Sequence, residues 1–203
     1  MDLHTFFARL LSTENEALIQ ELITCTTVHE YKKGDILIQA GEAVSKVDFL
    51  LTGIYRGYFI DSNGRDITDC FAYKTGSPLL PSTELNIPAI ISIQAITAGS
   101  VVSISMDAVR NLLQKYPEVG QLYIRLLSES AQEHWKIKNA IYQYTALQRY
   151  QWFQSNYSSL VQKVSNRYIA SYLNITPVTL SRIRASLRGR EDEIETREGD
   201  RDY

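Results

Sequence analysis

The chain has 203 residues, a formal net charge of −2 and 44% hydrophobic residues, which allows one domain of moderate size, a small second one and a substantial core. No apolar run approaches the length of a membrane span, and the N-terminus MDLHTFFARLL lacks the basic start and cleavage site of a signal peptide, so we expect a cytoplasmic protein with no membrane partner. Two cysteines, Cys25 and Cys70, cannot form a disulfide framework or hold an iron–sulfur cluster, and we expect both to be reduced.

The first half of the chain predicts a mixed α and β domain. Residues 2–25 are typical of a short helical lead-in, and between residues 30 and 105 short apolar or alternating runs are separated by glycines. This pattern indicates a small barrel or roll of strands. The triplet Ser62-Asn63-Gly64 predicts a hairpin connection, because Asn-Gly readily supplies a positive φ. A short helix over residues 107–117 follows.

Residues 118–143 predict a single long helix, since within this range neither Gly nor Pro follows Gly120. Its apolar residues suggest one long side: Val119, Tyr123, Leu126, Leu127, Ile137 and Ile141. Such a helix is either buried within a domain or forms the seam of a dimer.

Residues 144–190 predict a small helical domain. Its large side chains recur at helical spacing and are expected to form the core rather than stack on bases: Tyr144, Leu147, Tyr150, Trp152 and Phe153. Within it, RYIASYLNITPVTLSRIRASLRGR predicts two helices joined by a tight turn. Asn174 suits a left-handed residue at the end of the first helix, and Thr176 followed by Pro177 is a typical start for the second.

Charge separates this region from the rest of the chain. Residues 134–190 contain nine Lys and Arg and no Asp or Glu, whereas residues 1–133 contain 10 Lys and Arg against 16 Asp and Glu, and residues 191–203 contain 2 against 7. Phosphate attracts such a basic region, so the pattern favours double-stranded DNA as the partner over an ordinary solvated helical hairpin. It also favours the dimer seam for the long helix, because dimers match the half-site symmetry of duplex DNA. We expect the acidic tail, 191–203, to be disordered.

Three segments in this order resemble the Crp/Fnr (cyclic-AMP receptor protein/fumarate-nitrate regulator) family of bacterial transcription factors. They are KKGDILIQAGEAVSKVDFLLTGIYRGYFID, the long helix and RYIASYLNITPVTLSRIRASL. The resemblance covers about residues 5–190 and implies an α+β fold, with an N-terminal β-roll over 1–117, a long connecting dimerisation helix over 118–143 and a C-terminal helix-turn-helix domain over 144–190. It further implies a homodimer on a near-palindromic operator, with RNA polymerase as another partner.

The resemblance also assigns DNA contacts, all at the start of the second helix of the pair: Thr176, Val178, Thr179, Ser181, Arg182 and Arg184. Arg182 takes the position of the family's base-reading arginine, which pairs with guanine O6 and N7. Thr176, Ser181 and Arg184 are expected at phosphates, with a solvated flank as the alternative for Arg184. The family often has a glutamate where this chain has Val178, so the operator sequence cannot be transferred.

Cyclic-nucleotide binders of the family hold the ribose with Gly-Glu and the phosphate with Arg followed by Ser or Thr. The corresponding stretch here has no Gly-Glu pair, and no arginine lies between Arg65 and Arg110. A cyclic phosphate needs such donors, so we expect no cyclic-AMP dependence and no cofactor. A pocket for another small-molecule effector has these candidate residues, with a plain loop as the alternative: Tyr73, Lys74, Ser77 and Ser82.

Two other classes of protein are alternatives to a DNA-binding regulator. A cupin-like metalloenzyme needs several histidines and a carboxylate inside its barrel, and no histidine lies between His29 and His134, so we expect no enzyme activity. The remaining alternative is a ligand-binding or protein-interaction signalling module with a degenerate helix-turn-helix. A specific operator protein prefers its site by about 10³-fold or more over random duplex, and that ratio separates the two.

Overall fold

A computed structural model describes residues 2–84 and 87–199, with side chains described as far as 188. The chain divides into two compact units, Met1–Glu133 and His134–Tyr203. Among the helices within these described ranges, none is long and apolar enough to span a membrane.

The predicted helical lead-in consists of two helices, α1 (Leu3–Leu11) and α2 (Glu16–Thr24). The first helix ends at Ser12, which takes a left-handed conformation with φ 53°. Each helix has a side-chain cap: Asp2 accepts a hydrogen bond from the Thr5 amide at 2.9 Å, and Asn15 caps α2 in the same way.

Seven strands follow and confirm the predicted roll: β1 (Thr26–Tyr31), β2 (Ile36–Ile38), β3 (Lys46–Thr52), β4 (Tyr55–Ile60), β5 (Asp66–Ala72), β6 (Ser92–Ala95) and β7 (Gly99–Ser105). They form two antiparallel sheets, with the strand orders β1–β7–β3 and β2–β6–β4–β5. We refer to the two sheets together as the roll. Two helices complete the first part of the chain: α3 (Met106–Lys115) and the long α4 (Pro117–Gln143).

The predicted hairpin at Ser62-Asn63-Gly64 is confirmed between β4 and β5. Asp61 organises the loop, because its Oδ1 accepts hydrogen bonds from the backbone amides of Asn63 at 2.8 Å and Arg65 at 2.9 Å. The positive φ falls on Gly64, at 76°, and not on Asn63. The five-residue loop therefore needs one left-handed residue rather than the two of the shortest Asn-Gly hairpin.

Within the described residues, the first unit has two apolar cores, which lie on opposite faces of the sheet β1–β7–β3. The helix-side core joins α1, α2, α3 and the start of α4 to the outer face of β3 and β7; its largest members include Phe6, Phe7, Phe49, Leu122 and Leu126. The roll core lies between the sheets and includes Leu50, Tyr55, Ile93 and Val101. Neighbouring residues of β3, Phe49 and Leu50, thus enter different cores, as alternation along a strand requires.

The backbone at Gly99 lies close to the end of β3. A Cβ on Gly99 would overlap the Thr52 carbonyl oxygen and lie 2.9 Å from the Gly53 Cα. Glycine is therefore required here, whereas the helical Gly120 has no atom within 4 Å of such a Cβ.

We expect Gly99→Ala to lower the free energy of unfolding by about 2 kcal/mol or more, because the backbone of β3 must move. The control, Gly120→Ala, should raise it by about 0.5–1 kcal/mol, because alanine stabilises a helix interior. Urea unfolding followed by far-ultraviolet circular dichroism measures both changes, and equal effects of the two substitutions would contradict the close packing at Gly99.

The second unit is helical: after its part of α4 it contains α5 (Ala146–Asn156), a 3₁₀ turn (Ser158–Leu160), α6 (Asn166–Tyr172) and α7 (Pro177–Gly199). Tyr150 and Phe153 are buried in its core as predicted, whereas Tyr144 is 40% exposed. Trp152 and Leu147 are half-buried.

Two tyrosines that the sequence did not single out complete this aromatic core. Tyr157 stacks on Phe153 with ring centroids 5.1 Å apart, and Tyr172 meets Phe153 edge-on at 6.0 Å. The buried hydroxyls of Tyr157 and Tyr172 lie 3.0 Å apart and hydrogen-bond to each other, so their polar ends are compatible with burial.

The C-terminal tail differs from the expected disorder over its first nine residues. Helix α7 continues to Gly199, so residues 191–199 are helical, while 200–203 lie outside the described residues. Four of these nine residues are glutamates, and glutamate has a high intrinsic helix propensity, which outweighs the acidic composition on which the expectation rested.

Candidate nucleic-acid interface

The turn between α6 and α7 follows the predicted local signals. Asn174 is left-handed with φ 51°, and the Ile175 amide donates back to the Ala170 carbonyl at 2.9 Å. Arg149, from α5, donates through Nη1 to the carbonyls of Leu173 and Asn174, both at 3.2 Å. A cation thus occupies the negative C-terminal end of α6, which stabilises the turn.

The start of α7 confirms the capping role predicted for Thr176. Its Oγ1 accepts a hydrogen bond from the Thr179 amide at 3.0 Å, and the two threonine hydroxyls lie 2.8 Å apart. Leu180, on the opposite side of the helix, is completely buried. The cap and this anchor fix which face of α7 points to solvent.

We call the solvent-facing side of this start the α7 face: Val178, Thr179, Ser181, Arg182 and Ala185. Val178 and Arg182, one helical turn apart, are exposed, Val178 by 59%, and Thr179 is half-buried. Because residues 134–190 contain no carboxylate, the positive charge of Arg182 has no acidic neighbour within that segment. The face therefore combines an apolar group, hydroxyls and an arginine on one regular surface.

Arg184, predicted as a phosphate contact, makes several contacts within its own unit. Its guanidinium turns into the second unit, where it donates to the Asn166 side chain and, at 3.1 Å, to the Val161 carbonyl. It also lies 5.2 Å from the centroid of the Tyr150 ring. These contacts fix the guanidinium against its own unit, and the phosphate contact of Arg184 stays a prediction.

Substitution by alanine should separate these two arginines. We expect Arg184→Ala to lower the free energy of unfolding of the second unit by about 1–2 kcal/mol, because the Asn166 side chain and the Val161 carbonyl lose a charged donor. Arg182→Ala should change it by less than about 0.5 kcal/mol, as for an exposed side chain. Tryptophan fluorescence during urea unfolding reports on this unit alone, because the only two tryptophans are Trp135 and Trp152; equal losses would place Arg182 in the core network as well.

Helix α4 has two different faces. One face is buried and contains Leu122, Leu126, Ile137 and Ala140. Of these, Leu126 and Ile137 belong to the predicted apolar side. A second apolar set, not singled out in the sequence, is exposed: Ile124 by 66%, Trp135 by 60% and Tyr142 by 79%. Ile124 lies in the first unit, and Trp135 and Tyr142, which are seven residues or about two turns apart, lie on one side of the helix in the second. We call these three residues the α4 stripe. That periodicity was visible in the sequence, but nothing there says which face is buried.

The interior of the roll contains a polar cluster beside its apolar core. Lys46 Nζ lies 3.3 Å from Asp48 Oδ1 and 3.2 Å from Ser103 Oγ, and Ser103 donates to Asp48. The adjoining cavity has a volume of about 100 Å³, below the roughly 300–1,000 Å³ of typical ligand pockets. Burial raises the pKa of the nearby Tyr55 to about 12, so its hydroxyl is protonated at neutral pH.

The one arginine on the strands next to this interior, Arg56, is only 2% exposed and is fully engaged. Its Nη1 and Nη2 pair with the two oxygens of Asp66 at 2.5 and 2.7 Å, and its Nε donates to Gln94 at 3.0 Å. A bidentate pair of this kind is strong. Arg56 therefore cannot replace the phosphate-binding arginine that the sequence lacks without giving up its carboxylate partner.

The four predicted ligand residues do not form one pocket. Lys74 and Ser77 line a groove of the first unit, and Lys74 Nζ lies 5.5 Å from the centroid of the Tyr73 ring. Ser82 is buried, and its hydroxyl donates to the Glu84 carbonyl at 3.0 Å. The structure thus brings Lys74 and Ser77 together and assigns Ser82 to the support of its own loop.

Comparison with known proteins places this architecture. Residues 28–116 match the family model of the cyclic nucleotide-binding domain. FixK2 from Bradyrhizobium japonicum has a similar structure, with a TM-score of 0.74 and 18% identity over 82% of this chain and 86% of that one. The c-di-GMP responsive global regulator CLP from Xanthomonas campestris is also similar, with a TM-score of 0.74 and 11% identity over 87% of this chain and 93% of that one.

A protein from Eubacterium rectale, described as a transcriptional regulator of the Crp/Fnr family, has a TM-score of 0.72 and 16% identity over 89% of this chain and 87% of that one. No curated protein matches the sequence significantly. Together the matches confirm the mixed α and β fold with a long helix that the sequence resemblance implies.

Proposed function

We propose that this chain, which has the fold of the Crp/Fnr regulators, is a sequence-specific DNA-binding transcriptional regulator and not an enzyme. In this proposal α6, the turn at Asn174 and α7 form a helix-turn-helix whose second helix enters the major groove of a near-palindromic operator. The chain acts as a homodimer, and RNA polymerase is its further partner.

The observation that carries the proposal is the α7 face. It exposes Arg182 and Val178 at the start of a capped helix, in a segment with nine basic residues and no acidic one. An exposed arginine on such a helix can pair bidentately with guanine, which contributes about 1–3 kcal/mol of discrimination. Val178 offers a contact for a thymine methyl group, and Thr176 and Ser181 lie at the edge of the face, where phosphates would pass.

The geometry of the roll supports regulation without cyclic AMP. Its cavity of about 100 Å³ is too small for a nucleotide, and its lysine, Lys46, already pairs with Asp48. Arg56 is equally neutralised by Asp66. A cyclic phosphate entering the roll would find no uncommitted cation among these groups.

The α4 stripe supports the dimer. Three large apolar side chains exposed at helical spacing are what two parallel copies of α4 need to pack against each other. A dimer also doubles the α7 faces, so that each reads one half-site of a palindrome.

The first experiment is selection of bound duplexes from a random DNA pool by the purified full-length protein, without added ligand. We expect an enriched inverted repeat that Arg182→Ala loses, because that variant removes the base-reading arginine. The matched control is Arg110→Ala, which removes an exposed arginine of α3 in the first unit and should leave the enrichment unchanged.

Two outcomes would count against the proposal. Binding that never exceeds that of random duplex, even with cell-extract metabolites added, would favour the signalling module with a degenerate helix-turn-helix. Enrichment that Arg182→Ala and Arg110→Ala reduce equally would indicate attraction by net charge alone, without base reading by α7.

The dimer is tested at the α4 stripe. We expect Trp135→Glu to weaken self-association by about tenfold or more, because a charge would be buried in the proposed seam. Glu133→Gln is the control, as it alters an exposed polar neighbour on the same helix. Sedimentation equilibrium measures the dissociation constant, and a monomeric wild-type protein, or an unchanged constant in Trp135→Glu, would exclude this seam.

A further inference from the structure

A cavity of the first unit lies outside the roll and is not used by the proposed function. It has a volume of about 840 Å³ and is bounded by α1, by the ends of β3 and β7, by the loop 74–78 and by α4. It shares no lining residue with the small cavity inside the roll. We call it the basic groove. Its volume falls within the range of small-molecule sites.

Three cations and one carboxylate line the basic groove: Arg9, Lys74, Arg125 and Glu129. Arg125 is fixed in place, because it donates to the Leu10 carbonyl and, at 3.3 Å, to Ser12. Its Nε lies 3.9 Å from Glu129, so these two charges offset each other. Arg9 and Lys74 are exposed, and within the described part of the chain neither forms an ion pair.

The remaining wall of the groove is largely apolar. Phe6 and Leu126 belong to the helix-side core and also line the groove, and Leu51 and Pro78 face it from the strand and loop side. Cations above an apolar surface attract a ligand that carries both characters. Such a wall lets a hydrocarbon body leave water while its charged group reaches the cations.

The loop 74–78 does not provide a backbone cradle for a phosphate. The Gly76 amide donates to the Leu50 carbonyl at 2.8 Å, and the Ser77 amide donates to the Lys74 carbonyl at 2.9 Å. Recognition of an anion in the groove must therefore come from the long side chains of Arg9 and Lys74. These adapt to either a carboxylate or a phosphate head.

We infer that the basic groove binds an amphiphilic organic anion, with its carboxylate or phosphate head at Arg9 and Lys74 and its apolar body against Phe6 and Leu126. The site is distinct from the roll interior and from the α7 face. The inference therefore stands independently of DNA binding.

Isothermal titration calorimetry of the full-length protein tests the site with four probes: octanoate, octyl phosphate, the neutral octanamide and inorganic phosphate. We expect the two amphiphilic anions to bind about tenfold or more tightly than octanamide or inorganic phosphate, because each control lacks one of the two interactions. Octanoate and octyl phosphate together distinguish a carboxylate site from a phosphate site.

The double variant Arg9→Gln/Lys74→Gln should weaken octanoate binding by about tenfold, the effect of losing two solvent-exposed charge contacts. Its matched control is Lys32→Gln/Lys33→Gln, which removes the same charge from the exposed turn between β1 and β2 and should leave the affinity unchanged. Circular dichroism of both variants verifies that they fold.

Three results would overturn the inference: no binding of either anion, equal binding of octanamide and octanoate, or equal losses in the two double variants. None of these affects the enrichment of an operator, which Arg182 governs. Conversely, a failed DNA selection with intact octanoate binding would reject the proposed function and retain the groove.

Discussion

The second unit is built under one electrostatic constraint: between residues 134 and 190 the chain has no carboxylate to pair with its cations. Arg149 and Arg184 meet this constraint with neutral acceptors, namely the carbonyls at the end of α6 for Arg149 and an asparagine and a carbonyl for Arg184. Among the described side chains neither arginine forms an ion pair, although the hydrogen bonds of both are made. Residues 134–190 therefore carry positive charge even where their arginines make internal hydrogen bonds, and an approaching polyanion experiences the sum of these charges with Arg182.

In the first unit, by contrast, carboxylates pair with the cations of the strands. Its interior cations are neutralised at short range, Lys46 by Asp48 and Arg56 by Asp66, and a paired buried cation is costly to separate from its partner. By contrast, Arg9 and Lys74 line the basic groove outside the roll without an ion pair within the described residues. The match to the cyclic nucleotide-binding domain therefore describes the scaffold, while the distribution of charge argues for a different ligand position.

Local signals made much of the fold predictable. The left-handed Asn174, the Thr176 cap and the β4–β5 hairpin depend on residues within a few positions of one another, so their patterns carry the outcome. The orientation of Arg184 could not be predicted in this way, because it depends on Val161 and Asn166, whose positions are set by tertiary packing. The sequence presents Arg182 and Arg184 as equivalent cations two residues apart. Arg184 lies one helical turn after the buried Leu180 and therefore on the side of α7 that faces its own unit, whereas Arg182 is exposed.

The long helix α4 is the element that belongs to every proposed site except the α7 face. Leu122 and Leu126 anchor it in the first unit, Arg125 reaches the basic groove, and Ile124, beside Arg125 in sequence, begins the α4 stripe. A ligand that favours one packing of α4 against α1 changes the position of Arg125 and Ile124 together, because a helical turn moves as a rigid body. Linkage then makes the effect reciprocal: if the groove ligand changes the stability of the dimer, dimerisation changes the affinity of the groove by the same factor. In such a scheme the roll supports α4 without itself binding the ligand, so the regulatory signal enters from the outer side of the sheet.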